Sequence, residues 1–422
     1  MSLREAEILE TARNVLPAGG FGNVAHDVVV ARGLAGRVWD VNGKEYVDYL
    51  LGSGPMIVGH AHPEVLAVIQ DKVTQGTTFF ANNEEGIRLA AEIVEAVACA
   101  DKVRFVSSGS EADAYAMRLA RAYTKRDKIL KFEGGYHGMS DYGLMSLAPK
   151  RLANSYRPIP DSAGIPKSVQ DEMLIATYND LDSVASLIAG HKGEIAAVMA
   201  EPFQRLIPPQ PGFLEGLREI TRANGILLIF DEVVTGFRFA YGGAQEYYGV
   251  VPDICTLGKA IGGGFPLAAI AGRDEIMKHF DRGAVAEDEF LMQVGTLSGN
   301  PIAAAAGRKT LEILRRPGAY EQIFRIGRAL MDGMTESMAA AGVVGRVVGD
   351  APMFDVVFTD REVTEYRGSI GNVEKAKRLN ALLRERGVLK GESKYYISMA
   401  HTDDDVRWTL DAFEDSIKEL TR

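Results

Sequence analysis

The stretch from Ile226 to Pro266, ILLIFDEVVTGFRFAYGGAQEYYGVVPDICTLGKAIGGGFP, constrains the fold more than any other part of the chain. It opens with the apolar run Ile226 to Phe230 and passes straight into Asp231 and Glu232. A continuous apolar run of that length reads as a strand buried on both faces, and the acidic pair places a carboxylate at its end. Further on, Lys259 stands alone among glycines and small residues, just before Gly262, Gly263 and Gly264. A strand ending in Asp-Glu is common, and a Gly-Lys pair is usually a turn with a solvated lysine. Together they bring a glycine-flanked amine to a strand-end carboxylate, an arrangement that suits Schiff-base chemistry.

The rest of the chain supplies the frame. A chain of 422 residues exceeds what one core usually supports, so a large and a smaller domain are expected. The expected division is 1–60 as an N-terminal segment packing with the small domain, 61–305 as the large domain and 306–422 as a small α+β domain. Apolar residues at 46% and charged residues at 25% describe an ordinary globular protein. A net charge of -10 argues against nucleic acid as a partner. No apolar run long enough to span a membrane and no signal-peptide pattern is present, so no membrane partner and a cytoplasmic location are expected. Cys99 and Cys255 are too few for a disulfide framework or a metal site, and no metal is expected although His60 and His62 lie close in sequence.

In chain order, helical spacing over Leu3 to Leu16 ends at the breaker cluster Pro17 to Gly20. RVWDV and KEYVDYL flank Asn42-Gly43, a strong hairpin signal. A helix is expected from Pro63. Beyond Lys102, strands and helices alternate: VRFVSS, then a long helix opened by Gly109-Ser110-Glu111-Ala112-Asp113, then KILKF running into Glu133-Gly134-Gly135-Tyr136-His137. Ser110 reads as the cap of that helix, and a serine and glycine at a helix start directly after a strand also form an anion site. IAAVMA ends at Glu201-Pro202, LAAIAG follows the central stretch, and QVGTLSGNP precedes a helix of small residues. Toward the end, strands near Val344 to Val348 and Phe354 to Phe358 and a helix from Val373 to Arg386 precede a last helix capped by Thr402.

FDEVVTGFR, Phe230 to Arg238, and TLGKAIGGGFP, Thr256 to Pro266, resemble the signature of class III aminotransferases, and within them the branch containing glutamate-1-semialdehyde aminomutase. The similarity runs from Pro17 to Thr402. It implies an α/β protein of the PLP-dependent transferase fold type I: a large domain with a mostly parallel sheet between helices, plus a smaller α+β domain. It further implies pyridoxal 5'-phosphate (PLP) as cofactor and Lys259 as its Schiff-base partner and general base. Asp231 is expected to keep the pyridine nitrogen protonated, Val233 to pack behind the ring and Tyr136 to cover its face beside His137. Ser108, Gly109 and Ser110 form the expected phosphate cup, with Glu201 and Gln204 completing the cofactor shell and Gln204 a candidate donor to the phenolic oxygen. Gly295 and Thr296 resemble the segment that reaches a neighbouring subunit's phosphate, which implies a homodimer.

Departures from that branch fall on the substrate side. His26 stands where an N-terminal loop arginine is expected, Ser53 replaces a tryptophan, and the loop Phe203 to Ile207 is shortened. An acidic residue before the last strand is displaced, with Lys390, Glu392 and Lys394 nearby. Arg205 reads equally as an anion anchor or as a solvent-facing loop residue. The reading is an aminotransferase moving an amino group between an amino acid or amine, not necessarily an α-amino acid, and a carbonyl acceptor. A 2,1-aminomutase, or an ammonia lyase on an aminophosphonate or similar anionic amine, is the alternative.

Overall fold

The computed structural model describes residues 2–22, 28–149 and 157–421. It divides into two compact units, one formed by Met1–Pro63, Gly318–Arg361 and Ile370–Arg422, the other by Glu64–Pro317 together with Glu362–Ser369.

The second unit is built on a seven-stranded sheet. From one edge its strands are Lys102–Val106, Ala268–Gly272, Ile254–Leu257, Leu227–Glu232, Ile195–Ala200, Lys128–Phe132 and Met173–Ala176. Ala268–Gly272 runs antiparallel to both its neighbours, and the other strands are mutually parallel. Parallel strands are covered on both faces, which is why the inner ones read as unbroken apolar runs. Ile195–Ala200 and Leu227–Glu232 are buried at every position. The helix Gly109–Thr124 lies against this sheet through Ala112, Ala116, Met117, Leu119 and Ala120. Asp113 falls on the same buried face.

In the other unit the hairpin signal at Asn42-Gly43 joins the antiparallel strands Arg37–Asp40 and Glu45–Asp48. Asp40 Oδ1 accepts from the Asn42 and Lys44 amides at 2.8 and 2.9 Å, and Gly43 takes φ 85° in the turn. Val30–Leu34 and Val388–Leu389 extend that sheet, and a second one contains Arg346–Asp350, Met353–Val357 and Tyr395–Tyr396. The helices Ala319–Ala340 and Asp403–Leu420 pack together beside them. Thr402 caps the last helix in a reciprocal box with Asp405, as its sequence implies. Among the described residues no helix is long and apolar enough to cross a membrane.

A close backbone approach fixes the turn that carries Lys259. The helix Pro301–Leu314 packs against the short helical turn Lys259–Gly262, and a Cβ placed on Gly307 would lie 1.8 Å from the Ile261 carbonyl oxygen. Backbone cannot yield as a side-chain tip does, so the small-residue run before Gly307 is a packing requirement. Gly307→Ala is expected to destabilise the protein by roughly 1–3 kcal/mol. Urea unfolding measures this, and an unchanged midpoint would mean that the two segments are not held this tightly.

Candidate active site

Four of the parallel strands deliver polar groups at their carboxyl ends, where ligands of open α/β sheets bind. Val106 leads to Ser108, Ala200 to Glu201, Leu257 to Lys259, and Asp231 is itself the penultimate residue of its strand. Phe132 leads into the loop that carries Tyr136 and His137.

At the first of these ends the cap is Ser108, not Ser110. Ser108 Oγ accepts from the Glu111 amide at 3.3 Å, while Glu111 Oε2 accepts from the Ser107 and Ser108 amides at 2.7 and 2.9 Å. That box occupies the cap and third-position donors and leaves the Gly109 and Ser110 amides as the unspent donors of a helix start. Ser110 Oγ turns instead to the Met139 amide at 3.1 Å. The sequence placed the cap two residues late because both serines satisfy the same preference, and only Glu111, three residues after Ser108, separates them. Gly109 has no room for a side chain: a Cβ there would sit 2.9 Å from Val233 Cγ1, and one on Gly258 would sit 3.0 Å from the same atom. Val233 therefore stands between the helix start and the residue before Lys259.

Asp231 is 5% exposed and held from several directions. His137 Nδ1 lies 2.8 Å from its Oδ2, and the Val233 amide donates to its Oδ1 at 3.1 Å. An ionised carboxylate accepts, so Nδ1 carries the proton and Nε2 is the imidazole's other functional atom. That Nε2 is buried and has no hydrogen-bond partner among the described residues. Glu201 Oε2 accepts from the Tyr136 amide at 2.9 Å and fixes the neighbouring loop. Burial raises the Tyr136 hydroxyl above its ordinary pKa, and the Arg205 charge opposes this.

Lys259 adopts φ 47°, the left-handed region that costs an L-residue roughly 1–2 kcal/mol. Its side chain is partly buried and makes no ion pair or hydrogen bond among the described residues. A strained, unpaired amine at a strand end is an outlier from which function is properly inferred.

Arg205 shares that backbone state with φ 60°. It occupies a tight turn closed by reciprocal hydrogen bonds between Gln204 and Ile207, of 3.0 and 2.8 Å. Its guanidinium lies 5.6 Å from the centroid of the Tyr136 ring and has no acidic partner among the described residues. Gln204 Nε2 donates to the Glu133 carbonyl at 2.8 Å, and its Oε1 has no partner among the described residues. Around them lies the returning segment Glu362–Ser369. Arg367 grips Glu133 with two bonds of 2.7 and 2.9 Å, and the Tyr366 ring fills the space over Gly134, where a Cβ would approach it to 2.3 Å.

The remaining candidates are placed as follows. Ser53 is exposed in the turn Leu51–Ser53 of the first unit, with φ 67°. His26 lies outside the described residues. Thr296 is exposed and its carbonyl accepts from Thr78 Oγ1 at 3.3 Å; Gly295 lies partly buried beside it. Lys390 is engaged within its own unit, bonding Asp355 Oδ2 at 3.1 Å and Asn380 Oδ1 at 3.0 Å. Its charge is thereby neutralised by a buried partner. Sequence reasoning missed Asp113 and Thr256, whose side chains meet at 2.7 Å below Asp231. Asp113 could have been found as the one acid on the apolar stripe of its helix. It also missed Tyr366 and Arg367, for which no local signal exists.

Comparison with known proteins finds relatives along nearly the whole chain. The family model for aminotransferase class-III matches residues 21–417. The chain is 40% identical to glutamate-1-semialdehyde 2,1-aminomutase 2 of Brevibacillus brevis, over 99% of this chain and 98% of that protein. Its fold is similar to that of an omega-transaminase from Sphaerobacter thermophilus, with a TM-score of 0.94, 34% identity and coverage of 99% and 97% of the two chains. It is also similar to a glutamate-1-semialdehyde aminomutase from Pseudomonas aeruginosa PAO1, with a TM-score of 0.88, 26% identity and coverage of 99% and 94%. With a family match across nearly its whole length and these relatives on both the transaminase and the aminomutase side, the chain belongs to the class-III aminotransferases.

Proposed function

We propose that this is a PLP-dependent aminotransferase in which Lys259 is the catalytic amine. The observation that carries the assignment is the unpaired, strained Lys259 at the sheet edge that also presents Asp231 backed by His137. The cofactor of the family is PLP, and the residues present fit it. Two unspent amides and a glycine without room for a side chain suit a phosphate, and a buried carboxylate oriented by an imidazole suits a protonated ring nitrogen.

When bound, PLP supplies an exchangeable carbonyl and an electron-accepting ring. Gly109 and Ser110 would bind the phosphate through their amides and the positive end of the helix dipole. Asp231 would keep a proton at the pyridine nitrogen, and His137 holds Asp231 in place. Val233 and Tyr136 would hold the ring, with Glu201 fixing Tyr136 by its backbone and Gln204 fixing the loop at the Glu133 carbonyl. Lys259 moves the proton at the substrate carbon as general base and acid. Arg205, uncompensated above Tyr136, binds the acidic group of a substrate in bidentate fashion.

The amino donor is an amino acid or amine, and the acceptor is a carbonyl compound. A 2,1-aminomutase is the second reading, favoured by the 40% identity to the Brevibacillus brevis enzyme. For assembly we propose a homodimer in which Thr296 reaches the other subunit's phosphate. Support comes from the apolar exposure of Met292, Val294 and Leu297 around it, joined by Phe79 and Phe80 beside Thr78. Two buried unpaired cysteines accord with a cytoplasmic location.

Lys259→Ala is expected to abolish the visible band of the lysine-bound cofactor and to lower kcat at least about a hundredfold. Absorption spectra and steady-state kinetics test this, and retention of both band and turnover would remove the assignment. Arg205→Ala should raise KM for acidic substrates roughly tenfold to a hundredfold and leave cofactor binding in place. Unaltered kinetics would make Arg205 a surface residue. The wild-type protein, mixed singly with α-, β- and ω-amino acids and aminophosphonates, should convert its cofactor to the amine form with release of the matching carbonyl product. Ammonia release without that conversion would indicate a lyase, and response only to a diamino acid or amino-aldehyde an aminomutase.

A further inference from the structure

Asp113 faces the sheet from the helix Gly109–Thr124 at 2% exposure, on an otherwise apolar stripe. The Thr256 hydroxyl lies 2.7 Å from its Oδ1. Thr256 and Asp231 are register neighbours on adjacent parallel strands, and the same hydroxyl lies 3.5 Å from Asp231 Oδ1. A threonine hydroxyl has one proton and cannot donate to both carboxylates. Two buried acids joined by such a bridge do not both ionise, because their charges repel and neither is solvated. The two are not equally supported: Asp231 has the His137 ring and the Val233 amide, whereas Asp113 makes no ion pair among the described residues. The shared environment therefore favours charge on Asp231 and a proton on Asp113.

We propose that Asp113 is a neutral carboxylic acid that donates to Thr256 Oγ1 and so turns the Thr256 hydroxyl onto Asp231, making Asp113 a positioning residue for that carboxylate. No proton leaves the chain of bonds; only its direction is set. The inference rests on the reading of Asp231 as the partner of the cofactor ring, and it assigns to the helix face below the ring a part that the helix's amino end does not have. The titratable groups that act on Asp113 are Asp231 and Glu201 at neighbouring strand ends, Lys259 beyond the next one, the buried Lys131 on the strand Lys128–Phe132, and Tyr136 in the loop after that strand. Burial and then Asp231 push the Asp113 carboxyl well above the usual range, with Thr256 and Lys259 opposing and Glu201 adding to the rise.

This direction fixes the sign of a stability test. A carboxyl with a folded pKa above its unfolded value withdraws stability as pH rises above about 4. Asp113→Asn lacks that loss, so its Tm relative to wild type should climb as pH rises above about 4. A constant or shrinking difference overturns the proposal. Infrared difference spectra of the full-length holoprotein at neutral pH should show a protonated-carboxyl C=O band in wild type that Asp113→Asn removes; its absence from wild type also overturns it. The link to Asp231 is read from the pH titration midpoint of the visible cofactor band. Thr256→Val and Asp113→Leu should move it in the same direction by about half to one unit, the scale of one hydrogen bond. Asp113→Asn, whose amide donates to Thr256 as the neutral acid does, should leave it in place. An Asn variant that shifts like the Leu variant, or a Val variant that does not shift, refutes the relay. The infrared band and the Tm series report Asp113 whether or not Lys259→Ala behaves as expected, so the two readings fail separately.

Discussion

Burial of Asp231 at the carboxyl end of the middle strand of the large sheet is the constraint on which the site depends. A carboxylate taken out of water is costly unless it is hydrogen-bonded, so its partners are structural necessities before they are chemical ones. His137 and the Val233 amide meet that need from two different stretches of chain, and the Thr256 hydroxyl lies 3.5 Å away on a third. Each partner requires the backbone around it to be held. Glu201 fixes the loop of His137 through Tyr136, and the glycines at 109 and 258 let Val233 close in. One acid thereby organises the loops at four strand ends.

Much of this was legible in the sequence, because the strongest signals are local. The apolar run before Asp231, the Asn42-Gly43 turn and the Thr402 cap each follow from residues within a few positions, and the structure places all three as read. The breadth of the class III resemblance, together with the strand-and-helix alternation, supplied the fold class. The shift of the cap from Ser110 to Ser108 shows the limit of a local rule when two residues satisfy it. Non-local pairings were out of reach. Arg367 meets Glu133 across 234 positions, and Thr256 meets Asp113 across 143. Spacing carries no trace of either, although an acid on an apolar helix face was a visible anomaly.

The returning segment Glu362–Ser369 changes how the substrate side is to be understood. It belongs to the unit of the large sheet although the chain on both sides of it belongs to the other. Through Arg367 on Glu133 and Tyr366 over Gly134 it braces the loop that leads to Tyr136. Glu133 in turn presents its carbonyl to Gln204, the residue before Arg205. The candidate anion anchor is therefore supported by residues from distant parts of the sequence.

Lys259 and Arg205 both hold a backbone conformation in which glycine rests without penalty. Under the proposed function, the reason for a cation at these two positions is chemistry and not backbone preference. A lineage released from its substrate and selected for stability alone would lose these two cations early, while the sheet, the capped helices and the buried acid persisted. Under the proposed function, a descendant that looks intact in every architectural respect would then be inert.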